Sequence, residues 1–150
     1  MTPSRSTSWL VAVGLALALT AGPVAAQPVP AAPNPVPVAL TGASTAVLIL
    51  DVGQDRFHAT RLDDTLRERG ITTLILAGWR ENGSVVYTAV GANLHGYTVV
   101  VAEDAVSAGQ PYDVAIGRYQ LLTQLHGNPK NEPLLKGAVT LSRSDLITFK

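Results

Sequence analysis

The chain has 150 residues, with 11 basic and 11 acidic side chains and a formal net charge of +0. That balance gives no electrostatic reason to expect nucleic acid or an anionic membrane surface as a partner. Cysteine is absent, which excludes thiolate catalysis, cysteine metal sites and disulfide staples together, so stability has to come from a packed core.

Residues 1–26, MTPSRSTSWLVAVGLALALTAGPVAA, have the parts of a secretory signal. Arg5 sits in a weakly positive leader, residues 9–21 are apolar, and Val24-Ala25-Ala26 supplies the small residues expected before cleavage ahead of Gln27. The apolar run is shorter than the roughly 20 residues of a membrane span. The expectation is an exported protein, periplasmic or extracellular, with no membrane attachment after cleavage. Retention as an uncleaved anchor is the alternative. Residues 27–44 carry Pro28, Pro30, Pro33, Pro35 and Pro37 and read as an extended, polyproline-like linker. A single domain is expected over residues 45–150.

Within that domain, apolar runs alternate with helical patterns. TAVLIL (residues 45–50) is a strand ending at Asp51. TRLDDTLRER (residues 60–69) is a short helix, with Thr60 and Asp63 spaced as a capping box, Leu62 and Leu66 on one face, and Gly70 as the stop. ITTLILA (residues 71–77) is the next strand. The helix SVVYTAVGANLHG runs from Ser84 to Gly96. YTVVVAED (residues 97–104) is the third strand. YDVAIGRYQLLTQLHG (residues 112–127) is a third helix, with Val114, Tyr119, Leu122 and Leu125 as its apolar stripe. GAVTLS (residues 137–142) is a short fourth strand before a tail ending near Phe149.

Continuous apolar strands separated by helices imply a parallel sheet buried on both faces. The fold class expected is α/β: a Rossmann-like three-layer sandwich with a small, mostly parallel sheet. Ligands of such sheets bind outside the carboxyl ends of the strands. Asp51, the turn at residues 78–84, and Glu103-Asp104 belong there.

Ser84, at the expected helix start, faces unpaired N–H groups, a suitable place for a nucleophile that forms an oxyanion. A serine also needs a base, and the Gly-x-Ser-x-Gly elbow is absent because Val85 and Val86 follow. The other reading is that Ser84 or Asn82 is a plain helix cap. Asp51 and Asp104 each suit a general base or an acceptor of turn N–H groups. Trp79, Arg80, Asn82 and Gly83 lie beside the presumed site as substrate contacts. Arg80 suits a carboxylate, or is a solvated surface arginine. His58, His95 and His126 show no metal-ligand spacing, so no metal and no cofactor are expected. Asn82-Gly83-Ser84 matches a glycosylation sequon, read as coincidental.

A resemblance follows from particular residues. Phe57, Thr60, Leu62, Leu66, Gly70-Ile71, Gly78, Val85, Thr88-Ala89, Gly96-Tyr97, Val99 and Asp104-Ala105 fit F-x-x-T-x-L-x-x-x-L, a G-I strand, G-x-x-x-x-x-C-V, T-A, G-Y-x-V and D-A. That pattern resembles the second half of the isochorismatase-like hydrolases, which include nicotinamidases and other cysteine amidohydrolases. AVTLSRSDLITF resembles the ending of an exported branch. The resemblance implies an Asp–Lys–Cys catalytic set, with Ser84 at the cysteine position. Asp51 matches either the lysine position, counted back from Phe57, or the aspartate of the family's first strand; the first register needs no gap. The nicotinamidase Asp/His metal cluster has no counterpart.

A Cys→Ser replacement raises the nucleophile's pKa well above that of a thiol, and the lysine is absent. Two function classes therefore stand: an impaired serine-dependent amide or ester hydrolase acting on a small molecule, and a non-catalytic small-molecule- or protein-binding module. A shortened sheet with an exposed edge adds a third expectation, a homo-oligomer that covers it.

Overall fold

The computed structural model describes residues 33–150 except Val52 and Leu125. The expected export signal and the first part of the expected linker lie outside the described residues. The central sheet has four parallel strands: β2 (Thr45–Leu50), β3 (Thr73–Trp79), β4 (Thr98–Ser107) and β5 (Val139–Ser142). They are neighbours in chain order. Helices α1 (Leu62–Glu68), α2 (Val86–Leu94) and α3 (Pro111–Thr123) make the three crossovers. With sequential neighbours and crossovers of one hand, all three helices fall on one face.

The packing agrees with that placement. Leu66 of α1, Val86, Ala89 and Ala92 of α2, and Leu121 and Leu122 of α3 share one buried cluster with Leu74, Leu76, Val99, Val101, Val139 and Leu141. Leu74, Leu76, Val99, Val101 and Leu141 are fully buried, each worth about 1.5–3 kcal/mol relative to exposure. The other face is covered by a parallel two-stranded ribbon of β1 (Val38–Leu40) and β6 (Ile147–Phe149). There Val38 and Leu40 pack with Ile75, Val100 and Ala102. The α/β sandwich with its mostly parallel sheet is therefore observed, and its third layer is a strand ribbon. The last part of the proline-rich stretch supplies β1: alternation of Val38 and Leu40, both buried, overrides the extended linker expected there.

Other elements depart from expectation for local reasons. In α1, Thr60 Oγ1 accepts from Leu62 N at 3.2 Å. Asp63 does not complete a capping box; it accepts from Arg67 Nε at 2.9 Å and Tyr97 Oη at 2.8 Å. In α3, Tyr119 is 70% exposed while Leu121 is buried, so the buried stripe runs through Gly117, Leu121 and Leu122, and Tyr119 is not part of it. β4 runs past Asp104 to Ser107, because its register with β3 shifts between Leu76–Val101 and Gly78–Val106. That irregularity holds Glu103 and Asp104 inside the strand, where a strand end was expected. β2 is buried on the helix side only: Val47 and Ile49, on its other face, are 57% and 83% exposed.

Candidate functional site

The turn joining β3 to α2 sits at the carboxyl ends of β2 and β3. Leu50 pairs with Gly78, so Asp51, exposed and one residue beyond, lies beside the start of this turn. The Asp51 carbonyl accepts from Arg56 Nη2 at 3.0 Å. Trp79 is the last residue of β3, and the Trp79–Arg80 peptide is cis. Glu81–Val85 then form one wide helical turn, interrupted at Gly83 (φ −133°, ψ −110°), before α2 begins at Val86.

Ser84 occupies this turn and is 1% exposed. Its Oγ donates to the Trp79 carbonyl at 2.5 Å and accepts from Arg80 N at 3.0 Å. A hydroxyl has one proton to give, and this one goes to a backbone carbonyl. Ser84 does not cap α2: the residue before that helix is Val85, which makes no side-chain cap bond. It ties the turn back to the end of β3. The Arg80 carbonyl collects the turn's N–H groups, from Gly83 at 3.0 Å and Val85 at 3.2 Å. Those two donors are thereby committed to Arg80.

The substrate-contact candidates converge on a residue that sequence reasoning passed over. Arg80 Nη2 lies 3.2 Å from Asp113 Oδ2, and Asn82 Nδ2 donates to Asp113 Oδ1 at 2.8 Å. Asp113 is in the first turn of α3, where an acid also suits the helix dipole. Arg80 is thus half-exposed and ion-paired, neither wholly solvated nor free. Trp79 is 37% exposed beside it. No local signal links residue 113 to residues 80–82; only the packing of α3 against the turn does.

Behind the turn lies a buried charge cluster. Glu81 is 2% exposed, and it packs where Gly117 has no side chain. Glu103 pairs with Arg118 Nη2 at 2.7 Å. Burial is the main force pushing the Glu81 carboxyl up to about 7; Arg118 opposes the rise and Glu103 adds to it. Burial likewise raises Glu103, tempered by Arg118. Glu81 Oε1, Asn82 Oδ1, Glu103 Oε1 and Arg118 Nε are buried without a hydrogen-bond partner among the described residues. One guanidinium against two carboxyls balances when Glu81 keeps its proton.

Asp104 adopts the turn-acceptor role: Ser144 N and Oγ both donate to it, at 2.8 and 2.5 Å, and these bonds hold its carboxyl below the usual range. His95 Nδ1 bonds the Gly91 carbonyl at 2.8 Å, and its ring stacks on Phe57. Among the described residues, no three His, Asp or Glu side chains are grouped to hold a metal.

The Isochorismatase domain family model matches residues 38–124. The uncharacterized isochorismatase family protein YecD of Escherichia coli O157:H7 is 39% identical over 72 residues, which cover 48% of this chain and 38% of that protein. Among solved structures, the nicotinamidase SaPncA of Staphylococcus aureus is 27% identical with a TM-score of 0.46, over 49% of this chain and 45% of that one. An isochorismatase family protein of Burkholderia thailandensis is 30% identical with a TM-score of 0.47, over 65% and 44%. The chain matches less than half the length of each of these relatives. The family match spans more than half of this chain, including both β3 and the turn bearing Ser84: the chain belongs to the isochorismatase family.

Proposed function

We propose that this chain is an exported, catalytically impaired member of its hydrolase family, serving as a small-molecule- or protein-binding module. One observation carries the impairment: the Ser84 hydroxyl, which this reading sets at the position of the family's cysteine, spends its one proton on the Trp79 carbonyl while accepting from Arg80 N. A serine nucleophile needs a base at its proton, and here a backbone carbonyl holds that place. The engaged N–H groups of Gly83 and Val85 support the same reading, since an oxyanion needs free donors. Export rests on the signal-like pattern of residues 1–26.

Arg80 is the ligand contact in this proposal. An incoming carboxylate exchanges with Asp113 for the guanidinium, a bidentate partner that arginine geometry favours. The test is hydrolysis of a panel of small amides and esters, nicotinamide included, by the unmodified chain and by Ser84→Ala. No turnover by either folded protein is expected. Turnover that disappears in Ser84→Ala would overturn the proposal and make Ser84 a nucleophile.

A further inference from the structure

The two edges of the four-stranded sheet are treated differently. At β5 the chain covers its own backbone. Asn131 Oδ1 accepts from Leu141 N at 2.7 Å, and Asn131 Nδ2 donates to Leu141 O at 2.9 Å. Asn128 Nδ2 donates to Val139 O at 3.0 Å. Val36 N donates to Leu141 O at 3.1 Å, and Ser142 Oγ donates to Val36 O at 2.8 Å. This edge is sealed by two buried asparagines and an extended segment.

At β2 no such cover exists among the described residues. Thr45–Leu50 is six residues long and regularly paired to β3 along its whole length. It carries no charge, no proline and no bulge, the devices that normally protect an open edge. Val47 and Ile49 stand exposed on one face. Along the strand runs a groove of about 350 Å³, lined by β2 with Arg56, Thr60 and Leu62.

We propose that β2 is an interaction surface for a second copy of this chain, the two β2 strands pairing antiparallel about a two-fold axis through Leu48. An open strand edge presents a row of N–H and C=O groups, so its occupant is another extended strand. Antiparallel pairing about Leu48 sets Val47 opposite Ile49 of the second copy, and Ile49 opposite its Val47. Residues directly opposite share a face, so this register buries the four exposed β-branched side chains together. Shifting it by one residue sets Val47 opposite Leu48, and the like apolar pairs are lost. The same patch serves both copies, as a two-fold interface requires. The zero net charge adds no repulsion between copies. The result is an eight-stranded sheet continuous across the dimer. The proposal is independent of the reading of Ser84.

The absence of cysteine makes the test direct. Single-cysteine versions of the full chain are oxidised and run without reductant. Opposed residues in an antiparallel pair lie about 4.5–5.5 Å apart at Cβ, within reach of a disulfide after small adjustment. Leu48→Cys is expected to crosslink to itself. Val47→Cys and Ile49→Cys, both at exposed positions that leave the core intact, are expected to crosslink when mixed and far less when alone. Tyr112→Cys, 72% exposed on α3, measures collisional background. Ile49→Lys is expected to convert a dimer to a monomer in sedimentation, with an unchanged far-ultraviolet circular dichroism spectrum and a thermal midpoint that no longer rises with protein concentration. A monomer for the unsubstituted chain overturns the proposal. So does crosslinking of the mixed pair no better than the Tyr112→Cys background, which is also the outcome if another segment of the same chain covers β2.

Discussion

Gly78 stands opposite Leu50 in the β2–β3 pairing, and a side chain at residue 78 would run into the Leu50 backbone, 2.8 Å from its amide nitrogen and closer still to its carbonyl oxygen. Its φ of +111° lies where L side chains are disfavoured. Both features place the end of β2, and with it Asp51, against the turn that carries Ser84. Gly78→Ala is therefore expected to destabilise the fold by more than the about 1 kcal/mol typical of point substitutions, because backbone and not a flexible side chain must give way. Urea denaturation of the variant measures it. A midpoint matching the unsubstituted chain would refute the close approach.

Ser84→Ala removes a buried hydroxyl that satisfies two groups of one peptide. Leaving buried polar groups unpaired costs about 1–3 kcal/mol each. The expected outcome is a loss of stability in that range by chemical denaturation. Ser84→Thr, which keeps the hydroxyl, should recover part of it if the added methyl fits the buried site.

The Glu81 carboxyl, raised to about 7 from the ordinary 4.5, sets a pH dependence. The folded protein keeps a proton that the unfolded chain releases between those values. Stability from this group is thus fully present below about pH 4.5, is lost as pH rises to about 7, and is flat above. Glu103, also raised by burial, pulls the same way. Asp63 and Asp104 are lowered, so their contributions are lost only at more acidic pH. The denaturation midpoint of the unsubstituted chain should fall from pH 5 to pH 7.5. In Glu81→Gln, which cannot ionise, most of that slope should vanish; an unchanged slope would assign it elsewhere.

Gly117 makes room for Glu81. A Cβ there would lie 2.8 Å from Glu81 Cγ and 3.3 Å from the backbone of residues 81 and 82. Alanine in a helix ordinarily gains about 1 kcal/mol over glycine, while overpacking costs about 1–3 kcal/mol. Gly117→Ala is expected to be net destabilising because the neighbours include backbone. A thermal midpoint above that of the unsubstituted chain would count against this packing.

Asn131, 1% exposed, bonds Leu141 on both its N–H and C=O and also reaches the Asn34 carbonyl at 3.0 Å. Asn131→Ala strands the Leu141 N–H at the β5 edge, at about 1–3 kcal/mol, while the Leu141 carbonyl keeps the bond from Val36 N. Amide exchange at Leu141 should accelerate in that variant while exchange in β3 changes little.

By itself the sequence determined the alternation of strands and helices. Runs such as TAVLIL and ITTLILA, short and rich in β-branched and aliphatic residues, read as strands, and the helical stretches between them imply parallel pairing. It also marked Ser84, Arg80 and Asn82 as neighbours on one turn, because they are close in the chain. What the hydroxyl of Ser84 bonds to was decided only by the tertiary structure, since the path of the backbone from Trp79 to Val85 follows no helix or strand period. The partners Asp113, Glu103 and Arg118 were likewise set by packing, because α3 brings Asp113 and Arg118 to the turn, and β4 brings Glu103, from 22 to 37 residues beyond Glu81. The strand ribbon over the second face, and a β2 edge uncovered among the described residues, depend on which surfaces remain after the helices have filled the first face. That balance of coverage belongs to the folded whole, and no window of the chain contains it.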